Sequence, residues 1–105
     1  MKFINLSGKD VVVMKESGSV RFPAQDHKYF SIEKRVEKLN EMDGIPVTDV
    51  RYRTIGKLPK PKVGTIYIVP RVAASRNPSR KDLFIPDGIV SRNDKEIVCR
   101  SISLY

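Results

Sequence analysis

Turn-forming residues interrupt this chain so often that no long helix or long continuous strand can form. Ser7-Gly8, Ser17-Gly18, Asp43-Gly44, Gly56, Gly64, Asp87-Gly88 and Asn93-Asp94 are separated by short runs rich in Val, Ile, Thr, Tyr and Phe. Glycine and Asn/Asp supply the positive backbone angles that tight turns demand, while β-branched and aromatic side chains suit a pleated, half-buried surface. The pattern predicts a mostly β domain. With 105 residues and no linker, low-complexity tract or internal repeat, the expected organisation is a single domain spanning residues 1–105. Its class is α+β, mostly β. The expected architecture is a small twisted antiparallel or mixed sheet, a partly open barrel or sandwich, with at most one or two short helices.

Individual elements follow from the same reasoning. Lys2–Leu6, Asp10–Met14 and Ser19–Phe22 read as the first strands, the last stopped by Pro23. Ser31–Met42 is ambiguous. Ile32, Val36 and Leu39 fall at helical spacing, with Glu33 and Glu37 four apart. Against a helix stand Tyr29, Phe30 and Ile32, and the hairpin-type turn Asp43-Gly44 leading into the strand-like Ile45–Ile55. Both readings stay open on the residues. Within Ile45–Ile55, alternation puts Val50 and Tyr52 on one face and Asp49, Arg51 and Arg53 on the other. Lys57, Pro59, Lys60, Pro61 and Lys62 make an extended loop that projects its lysines into water. Gly64–Val69 is apolar on both faces and reads as a central buried strand ended by Pro70. A short helical turn at Arg71–Ser75, a brief apolar stretch at Asp82–Pro86, and a terminal hairpin of Ile89–Ser91 with Glu96–Ser103 complete the chain.

Net charge is +8, but its distribution is uneven. Residues 31–50 hold five acids against three bases, and residues 81–105 cancel. Residues 51–80 hold eight bases and no acid: Arg51, Arg53, Lys57, Lys60, Lys62, Arg71, Arg76 and Arg80. An acid-free stretch of this length points to an anionic partner, with simple solubility as the bland alternative. Nucleic acid, a nucleotide signal and an acidic protein surface all fit. No phosphate-binding glycine loop and no nucleic-acid recognition signature is present, so any such binding is backbone-led and salt-dependent. Tyr52 and Tyr67 lie in or near the basic segment as candidate stacking residues, although Tyr67 sits in the most apolar strand and reads better as core.

Catalytic chemistry finds little to work with. His27 and Cys99 are the only residues of their types and have 71 residues between them, without the spacings of a metal site. His27 beside Asp26 reads as a polar loop residue, and Cys99 within Ile97-Val98-Cys99 as a small core residue. The expectation is a binding protein, not an enzyme, with no cofactor and no metal. A lone cysteine, no apolar run of membrane-spanning length and no leader-like N-terminus lead to the expectation of a cytoplasmic protein with no membrane partner.

Several short motifs together carry a resemblance: Phe3-Ile4-Asn5-Leu6, Arg21-Phe22-Pro23, Gly44-Ile45-Pro46-Val47, Leu58-Pro59-Lys60-Pro61, Gly64-Thr65-Ile66-Tyr67-Ile68-Val69, and Arg80-Lys81-Asp82-Leu83 with Pro86-Asp87. The set is similar to a group of small bacteriophage and bacterial proteins with no established activity. The resemblance implies no catalytic residues. It implies a phage-encoded accessory protein in the host cytoplasm, one that blocks a host process such as a defence system. It also favours the β reading of Ser31–Met42, although Leu39 departs from the group's alternation there. A second reading is a structural protein that forms homo-oligomers by pairing exposed strands, with Ile97–Leu104 as the candidate edge.

Overall fold

The computed structural model describes residues 1–25 and 30–105, with the backbone alone at positions 30–32, 54 and 55. His27 and its expected loop role lie outside the described residues. Eight strands and one helix follow in the order β1 (Lys2–Asn5), β2 (Asp10–Lys15), β3 (Gly18–Phe22), β4 (Phe30–Lys38), β5 (Thr48–Gly56), β6 (Thr65–Ile68), α1 (Arg71–Ser75), β7 (Leu83–Arg92) and β8 (Glu96–Leu104). Six strands form a mixed sheet in the order β1-β6-β7-β8-β2-β3, and β4 with β5 forms a separate two-stranded arm. The expected mostly β domain, with a partly open barrel and one short helix, is what the chain adopts.

The curl of the main sheet follows from a short connection. β1 and β2 are joined by only Leu6–Lys9, yet three strands lie between them in the sheet order. Four linking residues cannot reach across four strand spacings of roughly 4.8 Å, about 19 Å in all, unless the sheet bends back on itself. Gly8, with φ of 89°, makes the turn. As a result the two sheet edges approach each other, and Phe3 of β1 meets Phe22 of β3 with ring centroids 5.2 Å apart. Asn5 clasps the gap from inside. Its Nδ2 donates to the carbonyls of Lys9 (2.7 Å) and Phe22 (2.8 Å), while Oδ1 accepts from the Ser7 amide (3.0 Å) and hydroxyl (2.7 Å). The Gln25 amide donates to the Asn5 carbonyl at 2.9 Å.

β6 is the buried centre of the expectation, with parallel neighbours on both sides, β1 and β7. Its alternation feeds two cores. Tyr67 and Val69 pack with Leu6, Ala73, Ala74, Leu83 and Ile85 beneath α1, whereas Ile68 packs with Val11 and Cys99 on the opposite face. Cys99 is fully buried, and burial pushes its thiol pKa upward.

Two stretches depart from the sequence expectation. Asp87-Gly88 is not a turn: β7 runs unbroken from Leu83 to Arg92 along β8. Gly88 takes a φ of 61° within the strand, and the register shifts between Ile89 and Ser91, so a bulge absorbs what reads as a turn signal. Pro86 is tolerated because β6 pairs only with Leu83 and Phe84, leaving β7 one neighbour beyond them. Ile97–Leu104 is an edge only in part: Ile97–Cys99 lie between β7 and β2, whereas Ser101–Leu104 pair with β7 alone.

The ambiguous Ser31–Met42 is resolved as strand β4 over Phe30–Lys38. Its partner is β5, in register from Phe30 opposite Gly56 to Lys38 opposite Thr48. At the tip Met42 and Ile45 exchange both backbone hydrogen bonds around Asp43 and Gly44, whose φ values of 52° and 76° define a type I′ turn. The helical spacing of Ile32, Val36 and Leu39 is overridden by pairing along the full length of β5.

Candidate functional site

The acid-free segment does not fold into one continuous surface. Arg51 and Arg53 sit on β5 in the arm, where Arg51 Nε meets Asp49 at 3.0 Å and Arg53 meets Glu33 across the hairpin at 3.2 Å. Arg80 grips Asp82 through two bonds of 2.8 and 2.7 Å and lies over the Tyr67 ring at 5.8 Å. That guanidinium holds the Asp82 carboxyl below the usual carboxylate range. Arg76, just past α1, donates to the Tyr52 carbonyl at 3.0 Å and so ties the arm to the body. Lys57, Lys60 and Lys62 project from the loop before β6, which Leu58 anchors on the core beneath α1 and the Tyr67 hydroxyl holds through the Lys60 carbonyl at 3.4 Å. Acids from outside the segment thus reach three of the eight cations.

Arg71 has a different setting. It opens α1 at the end of β6 and lies over the ring of Tyr105, 5.9 Å from its centroid. Both residues line a cleft of about 630 Å³ between α1, the arm and the start of the β7–β8 hairpin turn. The polar lining is Ser7, Lys9, Tyr52, Arg71, Ser75, Arg92 and Tyr105, over a floor that includes Val69, Ile85 and Ile97. No acidic side chain lines it, and Lys9, Arg71 and Arg92 form no ion pair with any described residue. Three unpaired cations around a concave, partly apolar space add their fields and draw anions inward.

The local fold explains this separation of charge. The nearby acids Asp10 and Glu96 are both engaged by Arg21, at 3.0 and 2.9 Å. Asp10 also accepts from the Ala24 amide at 2.9 Å, a bond that lowers its pKa. Asp87 accepts from the Ser103 hydroxyl at 3.0 Å.

Of the eight cations and two candidate stackers of the basic segment, the cleft takes only Arg71 and Tyr52. Lys9 comes from residues 1–30, where five bases meet three acids, and Arg92 from residues 81–105, where charge cancels; they stand next to the turns Ser7-Gly8 and Asn93-Asp94. Proximity to turns is the one linear signal they carry. Tyr67 is a core residue, 1% exposed. Comparison of the chain with protein-family models, curated proteins and solved structures finds no match. Among the described residues no helix is long and apolar enough to cross a membrane.

Proposed function

We propose that the protein is a non-enzymatic binding protein that takes up an anionic ligand in the cleft between α1 and the arm. The observation that carries this reading is a lining without acidic side chains, which Lys9, Arg71 and Arg92 share with apolar residues. Of the three partner classes open to a basic chain, a nucleotide suits this geometry best. The volume lies in the range of small-ligand sites. Arginine offers planar, bidentate contacts to phosphate, and lysine offers a point charge. Tyr52 and Tyr105 supply ring faces for a base, each such stack being worth about 1–3 kcal/mol. The projecting Lys57, Lys60 and Lys62 extend the positive field beyond the cleft. On the bacteriophage resemblance, sequestration of a nucleotide signal used by host defence is the biological reading.

Calorimetric titration with ATP at low salt tests the proposal, with a short single-stranded oligonucleotide as the second probe. The expected result is ATP binding that weakens with added salt and falls roughly tenfold or more in the Lys9→Glu, Arg92→Glu double variant. Oligonucleotide binding without ATP binding would redirect the reading to nucleic acid. Absence of both, or indifference to the double variant, would overturn it.

A further inference from the structure

The arm carries chemistry that the cleft does not use. Two paired strands are marginal in water on their own, and a third strand or a packed face is ordinarily required. Here the cross-strand register is also unfavourable. Arg35 stands opposite Arg51 and Glu37 opposite Asp49, like charges in direct apposition. Arg51 is satisfied by Asp49 on its own strand, but Arg35 forms no ion pair with any described residue.

The free edge can be identified from the hydrogen-bond phase. The Leu39 amide donates to the Val47 carbonyl, so odd-numbered residues of β4 bond inward to β5. The amides and carbonyls of Lys34, Val36 and Lys38 therefore point outward, along an edge that no described strand pairs. On the β5 edge, Arg76 already occupies the Tyr52 carbonyl. Beyond the strands the tip exposes Leu39, Met42 and Ile45 at 47%, 67% and 63%.

We propose that β4 pairs antiparallel with β4 of a second copy of this chain, with a two-fold axis at Lys34. This register overlaps all nine residues of the strand. It sets Glu33 opposite the second copy's Arg35, and Arg35 opposite its Glu33, in the phase where side chains approach most closely. The cation left facing Arg51 gains an acidic partner, twice by symmetry. Lys34 faces its own copy at the wider, hydrogen-bonded spacing, where long stems can diverge. The result is a continuous four-stranded sheet. Each tip passes Phe30 of the other copy and carries its apolar residues, with Glu41 and Asp43, toward a body that holds the chain's entire positive excess. Self-complementary charge selects a second copy over an unrelated strand.

Light scattering across a concentration series reads the association directly, and the expected wild-type species is a dimer. Arg35→Glu separates arm folding from pairing. Inside one arm it turns the clash with Arg51 into an attraction, so thermal stability of the monomer holds or rises. Between copies it sets Glu against Glu33, and dimerisation weakens roughly tenfold or more. Adding Glu33→Arg together with Arg53→Glu, which keeps the cross-hairpin pair of those two positions with its signs exchanged, restores opposite charges between copies and the dimer. A wild type monomeric throughout, or Arg35→Glu dimerising undiminished, would overturn the proposal. Rescue by Glu37→Arg in place of Glu33→Arg would refute the register centred on Lys34.

Discussion

Replacing Asn5 by alanine removes a carboxamide that is 1% exposed and makes four hydrogen bonds between 2.7 and 3.0 Å. Two of them tie the β1 edge to the Phe22 carbonyl at the end of β3 and to the Lys9 carbonyl before β2. A neutral hydrogen bond contributes about 1 kcal/mol net, and a buried group left without its partner costs about 1–3 kcal/mol. The Ser7 hydroxyl, whose single proton is released from Asn5 Oδ1 by the substitution, can turn to the Lys9 carbonyl at 3.0 Å. The losses therefore fall on the Phe22 carbonyl and the Ser7 amide, and the total comes to about 3–4 kcal/mol. For a domain of this size that is a large part of a typical stability of about 5–15 kcal/mol. The melting temperature should fall by on the order of 15 °C. Urea unfolding followed by circular dichroism measures the loss. Asn5→Asp sharpens the test, because the carboxylate cannot donate and faces two carbonyl oxygens. Its deficit relative to wild type should exceed that of alanine at neutral pH and shrink as pH falls toward about 4, because burial against carbonyl oxygens raises the folded-state pKa above the unfolded one and protonation returns one donor. A loss under about 1 kcal/mol for Asn5→Ala would refute the clasp as the device that holds the sheet edges together.

Three further outcomes are expected. Asp10 and Asp82 have folded-state pKa values below their ordinary ones, so the stability they add is full above the unfolded pKa near 3.9 and is lost as pH falls through the folded values; Asp82→Asn should cost about 1–2 kcal/mol at pH 7 and flatten that acid limb in pH-dependent unfolding. The buried Cys99 thiol, its pKa raised by burial, should react with a thiol-specific disulfide reagent only at the rate of unfolding, and prompt reaction in the native state would contradict its place in the core. Gly44→Ala meets no atom within 4 Å but must hold a φ of 76°, so it should cost about 1 kcal/mol, seen as faster amide exchange confined to the arm.

Local chemistry determined much of this fold. The hairpin tip was legible because only residues tolerant of positive φ, such as Asp43 and Gly44, make a two-residue turn matched to strand twist. The buried β6 was legible because Thr65–Ile68 lacks a polar face, and the burial of Cys99 followed from its apolar neighbours. Where local signals conflicted, pairing decided. Ser31–Met42 has helical spacing and strand-forming ends, and the long register with β5 settles it as a strand. Gly88 signals a turn, but β8 offers a continuous ladder, so the glycine becomes a bulge.

Charge behaved differently, because linear charge does not record who stands opposite whom. Arg51, Arg53 and Arg80 belong to a stretch without acids, yet meet Asp49, Glu33 and Asp82 once strands and turns bring them together. The curl imposed by the Leu6–Lys9 connection gathers Lys9 and Arg92 beside Arg71, from opposite ends of the sequence. The sequence by itself determined a β-rich domain with its excess charge in residues 51–80. Only the tertiary structure decided which cations remain unpaired, because ion pairing depends on distances of a few ångströms that strand order and register alone set.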